Sequence, residues 1–388
     1  MRRLPFEYAV RNLGRSPLRL GLSVLGSVLV VMLVITAAAF VRGIETSLTG
    51  SGSEENVILL GVGSEESIER SEITAAAPSM AAASVAGIKT RLGIPYVSPE
   101  AHMAMMFAEQ ADGQATMKAV VRGVTPAAFL VHDQVRIIAG RAPEQGKDEI
   151  MVGQLAAARM GLSTDRLAVG NKIWFDNRPW TIVGNFTAPG TVMDAEIWCP
   201  VGDLMIAAKR DSYSCIVLTL DTAELADVEE FAATRLDLEL VAMPEKQYYQ
   251  KLIQFYKPVR WMIWITAMLI ATGGMFGGLN TMYAAFSARF REIGMLQSLG
   301  YSRRAVVLSF IQESLLISAI GALIGSALSL ILLDGVAIRI NLGAFGLVLD
   351  TATVATGLVA GLFLGLFGAL PAAIRCLRLP ITEALKAS

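Results

Sequence analysis

The sequence is short of the groups on which most soluble enzymes rely. Only 17% of its 388 residues are charged, against ~25% in an average soluble protein. With 54% hydrophobic residues, intrinsic disorder is excluded and an ordinary cytosolic enzyme is a poor fit. Two histidines and three cysteines leave little for a metal cluster or a disulfide scaffold. A net charge of -1 provides no basic field of the kind that nucleic-acid binders carry. The phosphate-cradling pattern G-x-x-x-x-G-K-[ST] is missing as well. Gly146-Lys147 is the only Gly-Lys pair, and Asp148 follows it, so the chain has no nucleotide-binding signature of its own.

What the sequence has is long apolar runs. Leu20–Val41, Trp261–Ala288 and Thr351–Ile374 carry no charge, and Ala305–Leu333 carries one acid, Glu313. A bilayer needs ~20 apolar residues per helix, and a backbone in hydrocarbon must satisfy its own hydrogen bonds. Four membrane helices follow. The first run exceeds the ~7–15 apolar residues of a secretory signal and reads as an uncleaved anchor.

Basic residues orient the spans. Arg2, Arg3, Arg11, Arg15 and Arg19 precede the first. Arg289, Arg291, Arg303 and Arg304 lie between the second and third, and Arg375, Arg378 and Lys386 follow the fourth. These 12 bases face 3 acids, whereas residues 42–260 hold 20 bases and 28 acids. Both termini and the basic loop are therefore expected in the cytoplasm, and the long acidic segment outside. The expected organisation is a cytoplasmic segment (1–19), a first span (20–41), an outer domain with a stalk (42–256) and a second span (257–288). A cytoplasmic loop (289–304), a third span (305–333), a short outer loop (334–350), a fourth span (351–374) and a cytoplasmic tail (375–388) complete it. The fold class is an α-helical polytopic membrane protein with an α/β extracytoplasmic domain inserted between helices 1 and 2.

In the outer segment, strand-like runs rich in Val, Ile, Thr and Trp occur at Asn56–Leu60, Met117–Arg122, Lys172–Phe175, Trp180–Val183, Glu196–Cys199 and Cys215–Leu220. Asp176-Asn177-Arg178-Pro179 reads as a hairpin turn. Helix-like runs cover Ala75–Arg91, Gly153–Met160, Ala223–Arg235 and Glu245–Tyr256, the last a stalk joining the second span near Pro258. His102-Met103-Ala104-Met105-Met106 reads as a half-buried strand with gap-filling Met. Cys199 and Cys215 read as buried free thiols, with a disulfide as the alternative.

The cytoplasmic loop is the most informative short segment. Ile293, Leu296 and Leu299 repeat at helical spacing, Gly300 suits a helix-ending position, and Ser302 can cap the next helix. Such an amphipathic helix either rests on headgroups or fits a partner groove. Glycines crowd the spans: Gly273 and Gly277, Gly321 and Gly325, and Gly357, Gly361 and Gly365. Small residues at this spacing let helices approach closely, within one chain or across a dimer. Glu313 is read as pairing with Arg303 or another nearby base, or else as a proton relay or cargo contact.

Asn280-Thr281-Met282, Arg291-Glu292-Ile293-Gly294, Leu299-Gly300 and Ser302-Arg303-Arg304 occur in order, followed by Gln312-Glu313-Ser314. Ala9-Val10-Arg11-Asn12-Leu13 stands before the first span, and Leu379-Pro380-Ile381-Thr382-Glu383-Ala384-Leu385 after the fourth. The outer segment carries Val121-Arg122-Gly123-Val124-Thr125-Pro126, Gly140-Arg141 and Glu149-Ile150-Met151-Val152-Gly153. Over nearly its whole length the chain resembles the ABC transporter permeases of the MacB/LolC/FtsX class. The resemblance implies an inner-membrane permease whose residues 291–299 form a coupling helix docking on a separate cytoplasmic ABC ATPase, where ATP and Mg bind. Ile293, Leu296 and Leu299 would be the docking face and Arg289 and Arg291 its rim, with Glu292, Gly294, Gly300 and Arg303 completing the motif. It also implies a second permease chain, as homo- or heterodimer, and a periplasmic adaptor or cargo. ATP-driven motion would pass to the outer domain to export or extract a hydrophobic cargo such as lipid, lipoprotein, peptide or drug. The alternative is a non-transporting regulator of an extracytoplasmic enzyme or structural partner. Unlike MacB itself, the chain has no fused ATPase, and its outer segment is long for the cell-division members.

Overall fold

The computed structural model describes residues 6–13, 16–110, 117–176, 178–340 and 343–378. Arg15, Asn177 and the motif Leu379–Leu385 lie outside them. In chain order the elements are α1 (Phe6–Leu13), α2 (Pro17–Ser51), β1 (Asn56–Gly61), α3 (Ala77–Ser84), β2 (Thr90–Arg91), β3 (Ile94–Pro95), β4 (Val97–Phe107) and β5 (Met117–Val124). There follow α4 (Ala128–Val131), β6 (Arg136–Gly140), β7 (Glu149–Gly153), α5 (Ala156–Met160), β8 (Lys172–Phe175), β9 (Arg178–Thr187), β10 (Ile197–Pro200), α6 (Val201–Ala208), β11 (Cys215–Thr219), α7 (Leu225–Thr234) and β12 (Leu240–Pro244). The chain closes with α8 (Glu245–Phe255), α9 (Lys257–Ser287), α10 (Phe290–Ser298), α11 (Arg303–Leu332), β13 (Ala337–Ile340), β14 (Gly343–Gly346) and α12 (Thr351–Arg378). Residues Ala75–Arg91 are not one helix: the chain leaves α3 at Val85 and turns through Gly87, at φ +89°, toward the β2–β3 hairpin.

Two compact units result. The membrane unit comprises residues Met1–Arg42, Pro258–Val336 and Leu347–Ser388. The four expected apolar runs are its long helices α2, α9, α11 and α12, each long and apolar enough to cross a membrane. Five of the glycines noted above are used inside this one chain. A Cβ on Gly321 would lie 2.5 Å from the Ser27 side chain, and one on Gly325 3.0 Å from the Val28 carbonyl oxygen. On Gly357 it would lie 2.3 Å from Ile35, and on Gly361 2.7 Å from Ala322. Van der Waals packing is what holds membrane helices together, and here it joins α2, α11 and α12. Gly273 and Gly277 on α9 meet no such neighbour. Gly365→Val would drive a side chain into Ser318, whose Oγ lies 2.0 Å from the added Cβ position. Overpacking of this kind costs about 1–3 kcal/mol. A lowered thermal midpoint of the purified chain in detergent is expected, and an unchanged midpoint would refute the contact.

The inserted unit comprises Gly43–Lys257 and Ala337–Gly346. The short loop before α12 is thus an antiparallel hairpin, β13–β14, counted with this unit. Its sheet has ten strands in the order β12-β1-β11-β4-β5-β10-β7-β9-β6, with β8 paired to β9. Strand β4 is shared by two halves. Ser98 and Glu100 pair with β11, whereas Ala101 through Phe107 pair with β5. One core, around Leu59, Ile216, Leu218, Val228 and Phe231, packs α3 and α7 on the first half. A second, around Phe107, Val121, Ile150, Phe175, Trp180 and Ile197, fills the other. The expected hairpin is present, with Phe175 opposite Arg178. Cys199 and Cys215 are buried free thiols on β10 and β11.

Candidate functional site

Two features of the fold bear on function, one in each unit. The first is α10, the nine-residue helix between α9 and α11. Gly300 follows it at φ +89°, where an L residue would be strained. Ser302 then caps α11, its Oγ accepting from the Ala305 N–H at 3.2 Å. The helix is therefore bounded by the two signals expected of it.

Its inner face differs from the expectation. Ile293 is buried, packed with Met282, Phe286, Val306, Phe310 and Ala369, because α9, α11 and α12 supply an apolar niche beneath it. Gly294 is also buried, and Leu296 and Glu292 are half-buried. The apolar groups left outside are Met295, 49% exposed, and Leu299, 67% exposed. Arg291, Gly300 and Arg303 are exposed. Arg289 is not a rim residue: it is buried, its Nη1 2.9 Å from Glu313 Oε2 and its Nη2 3.4 Å from the Asn12 carbonyl oxygen. Arg19 reaches the other Glu313 oxygen at 3.1 Å. A carboxylate in a membrane helix needs such partners, and Glu313 takes them from α2 and from the residue before α10. The outward groups of this segment are accordingly Met295, Leu299 and Arg291, while Ile293 and Arg289 fasten it from within.

The second feature escaped the sequence reading. Alternate residues of a strand share one face, so Ser98, Glu100 and His102 on β4 point the same way. Pairing adds Cys215 of β11 beside Glu100, and Arg122 of β5 and Trp198 of β10 beyond His102. The result is a buried ionic cluster where β4 passes from one half-sheet to the other. Glu100, His102, Arg122, His132, Glu196 and Glu245 are all at most 4% exposed. Arg122 bonds Glu196 bidentately at 2.7 and 2.9 Å and Glu100 at 2.8 Å, and lies over the Trp198 ring. Glu100 also accepts from Ser98 Oγ at 2.9 Å and meets His132 Nε2 at 2.7 Å and His102 Nε2 at 3.2 Å.

Burial penalises every charge here, so the shifts show which partners win. Against that penalty, His132 and Arg122 hold the Glu100 carboxyl well below its usual range. Arg122 lowers Glu196 against the same penalty. Burial, with Arg122 adding to it, pushes His102 down. His132 goes the other way, because Glu100, seconded by Glu245, outweighs its burial. Glu100, His102 and Cys215 place a carboxylate, an imidazole and a thiol within 4.8 Å of one another. Yet Arg122 already bonds that carboxylate, and burial holds the Cys215 thiol well above its usual range, so the cluster works as an ion-pair network.

Comparison with known proteins fits both units. The family described as "MacB-like periplasmic core domain" matches residues 20–234, more than half of the chain. The family described as "FtsX-like permease C-terminal" matches residues 259–381. The chain belongs to the MacB/FtsX class of ABC transporter permeases. Its relatives include the macrolide export ATP-binding/permease protein MacB of Campylobacter jejuni, 31% identical over 28% of this chain and 16% of that protein. Bacillus subtilis has an uncharacterized ABC transporter permease, YknZ, that is 23% identical over 90% of this chain and 91% of its own length. The periplasmic region of MacB from Actinobacillus actinomycetemcomitans aligns at a TM-score of 0.38 and 13% identity, covering 52% of this chain and 94% of that one. The match to the first of these MacB relatives spans less than a fifth of its length. In this class of permease the inserted domain is the MacB-like domain and α10 is the loop helix of the FtsX-like part.

Proposed function

We propose that the chain is the membrane subunit through which a separate cytoplasmic ABC ATPase drives motion of the MacB-like domain. In this reading the cycle exports or extracts a hydrophobic cargo such as a lipid, lipoprotein, peptide or drug. The observation that carries the proposal is α10. Ile293 and Arg289 fasten it to the membrane helices, while Met295, Leu299 and Arg291 stay outside. A short helix held this way moves with α9 and α11, so a push on its outer face passes into both. Its flanking arginines favour a cytoplasmic loop, and both termini on that side. A second permease chain would cover α9, whose Trp261, Met268, Leu269 and Phe276 are each more than 60% exposed.

Leu299→Asp is the direct test, because the side chain is exposed and its loss should not disturb the fold. Leu296 is half-buried and would confuse docking with stability. Co-reconstituted with its ATPase, L299D should lose stimulated ATP turnover by roughly tenfold or more, as at an interface hot spot. Membrane insertion and thermal midpoint should stay at wild-type values. Wild-type stimulation would refute docking through α10.

A further inference from the structure

One end of the buried ionic cluster reaches the last residues of α2 and the first of α8, both inside the inserted unit. Helix α2 ends at Ser51 and α8 starts at Glu245. A Cβ on Gly52 would lie 2.6 Å from the Lys246 Cα and 3.1 Å from the Glu245 carbonyl carbon. The end of α2 and the start of α8 therefore touch, backbone to backbone. Glu245 Oε2 accepts from the Ser53 N–H at 3.0 Å and from Asn56 Nδ2 at 2.9 Å. Lys246 and Glu54 form an ion pair at the outer edge of the same contact. His132, immediately after α4, lies between this junction and the sheet. Its Nε2 is 2.7 Å from Glu100 Oε1, and its Nδ1 makes no hydrogen bond and faces Glu245 Oε1 at 4.0 Å.

We propose that Glu245, His132 and Glu100 form a latch that fixes the joined roots of α2 and α8 to the sheet, and that His132 is the positioning residue that closes it. The inference rests on the reading of this chain as a transmitter of motion, since α2 runs on from the membrane unit into this one and α8 leads into α9. Charge balance supports it. Three carboxylates, Glu100, Glu196 and Glu245, share the cluster with Arg122, and Arg159 acts on Glu196 from farther away. The Glu100–Glu245 end is therefore left with excess negative charge. An imidazolium at His132 cancels it and presents a donor on each ring nitrogen to a carboxylate. An imidazole leaves Glu245 facing Glu100 with no cation between them.

The charged groups around His132 act in both directions. Glu100 from β4 and Glu245 from α8 favour the imidazolium, and Arg122 from β5 opposes it. Burial and Arg122 push His102 down, and burial pushes the Cys215 thiol and the Tyr249 phenol well up. The net effect raises His132 above its ordinary value. A group raised in the closed state stabilises that state fully below its open-state pKa, about 6.5 for histidine. That contribution is lost as pH rises through the raised value. The latch is thus closed in mild acid and loosens toward alkaline pH.

The test is hydrogen exchange on the full chain in lipid nanodiscs, corrected for intrinsic rates, from pH 5.5 to 8.5. The segments to follow are 50–57 and 244–250, with 149–187 as an internal reference. In the wild type, protection of the two root segments should fall with rising pH by roughly tenfold per unit of upward pKa shift. His132→Asn should be weakly protected at every pH with no such fall, while segment 149–187 keeps its protection. If H132N also exposes 149–187, E245Q decides, because its side chain still accepts from Ser53 but carries no charge. A flat E245Q profile supports the latch. A wild-type-like fall in either folded variant, or no fall in the wild type, overturns it. L299D keeps the docking question separate: it should leave the root profile unchanged, so failed docking and a failed latch give different results.

Discussion

Arg122→Met is expected to destabilise the inserted domain by about 3–5 kcal/mol, the cost of removing one partner from a buried ion pair. The reason lies in what is left behind. Glu196 loses a bidentate partner and Glu100 loses a donor at 2.8 Å, both with at most 4% exposure. Met retains much of the Arg volume, so the loss is one of charge and hydrogen bonding more than packing. For a domain of this size such a loss lowers the midpoint by about 6–20 °C. Trp198 reports it locally, since its ring lies under the Arg122 guanidinium and its Nε1 bonds Glu196 at 2.9 Å. The defect should shrink in acid, where Glu100 and Glu196 can protonate. In the wild type Arg122 depresses Glu196, and His132 followed by Arg122 depresses Glu100, and the variant removes the Arg122 part of that hold. Combining R122M with Glu100→Gln and Glu196→Gln should recover part of the loss, because neutral groups are cheaper to bury than unpaired charges. A midpoint within 1 °C of wild type for R122M alone would show that the carboxylates find other partners.

This cluster also marks where the sequence stops being legible. Ser98, Glu100 and His102 alternate with Pro99, Ala101 and Met103, which reads as a strand with one solvated face. The face is buried because β4 is shared by two half-sheets and because His132 and Glu245 come from distant segments to cover it. No local pattern carries that information. The four spans were legible for the opposite reason. Their length and composition are dictated by the bilayer, whatever their neighbours. Gly300 and Ser302 bound α10 through chemistry confined to a few residues. The inner face of α10 was harder. A nine-residue helix with Ile293, Met295 and Leu296, followed by Leu299 at its C-cap, has apolar groups on two sides. Only the niche formed by Phe286, Val306 and Phe310 selects Ile293 for the inside. The loop hairpin β13–β14 is too short for a period-2 signal to stand out.

Glu313→Leu should be the corresponding failure in the membrane unit. It leaves two guanidiniums behind: Arg289, whose side chain is 8% exposed, and Arg19, 22% exposed. Arg19 lies near a helix end, where a long side chain can reach headgroups. Arg289 has a weaker alternative, the Asn12 carbonyl oxygen at 3.4 Å. Most of the expected ~3–5 kcal/mol for a broken buried pair therefore falls on Arg289. Because Arg289 immediately precedes α10, its release would also unfasten the first turn of that helix, beside the exposed Met295 and Leu299. E313L is thus expected to lower both the thermal midpoint and ATPase stimulation, whereas L299D lowers only the second. The double variant R289M/E313L removes the stranded charge together with its partner. It should regain most of the midpoint and, with Ile293 still seated among Phe286, Val306 and Phe310, a measurable part of the stimulation. That recovery would place Glu313 as an anchor of the helix. Persistent loss of turnover in a double variant with a wild-type midpoint would instead favour a carboxylate that takes part in transport itself.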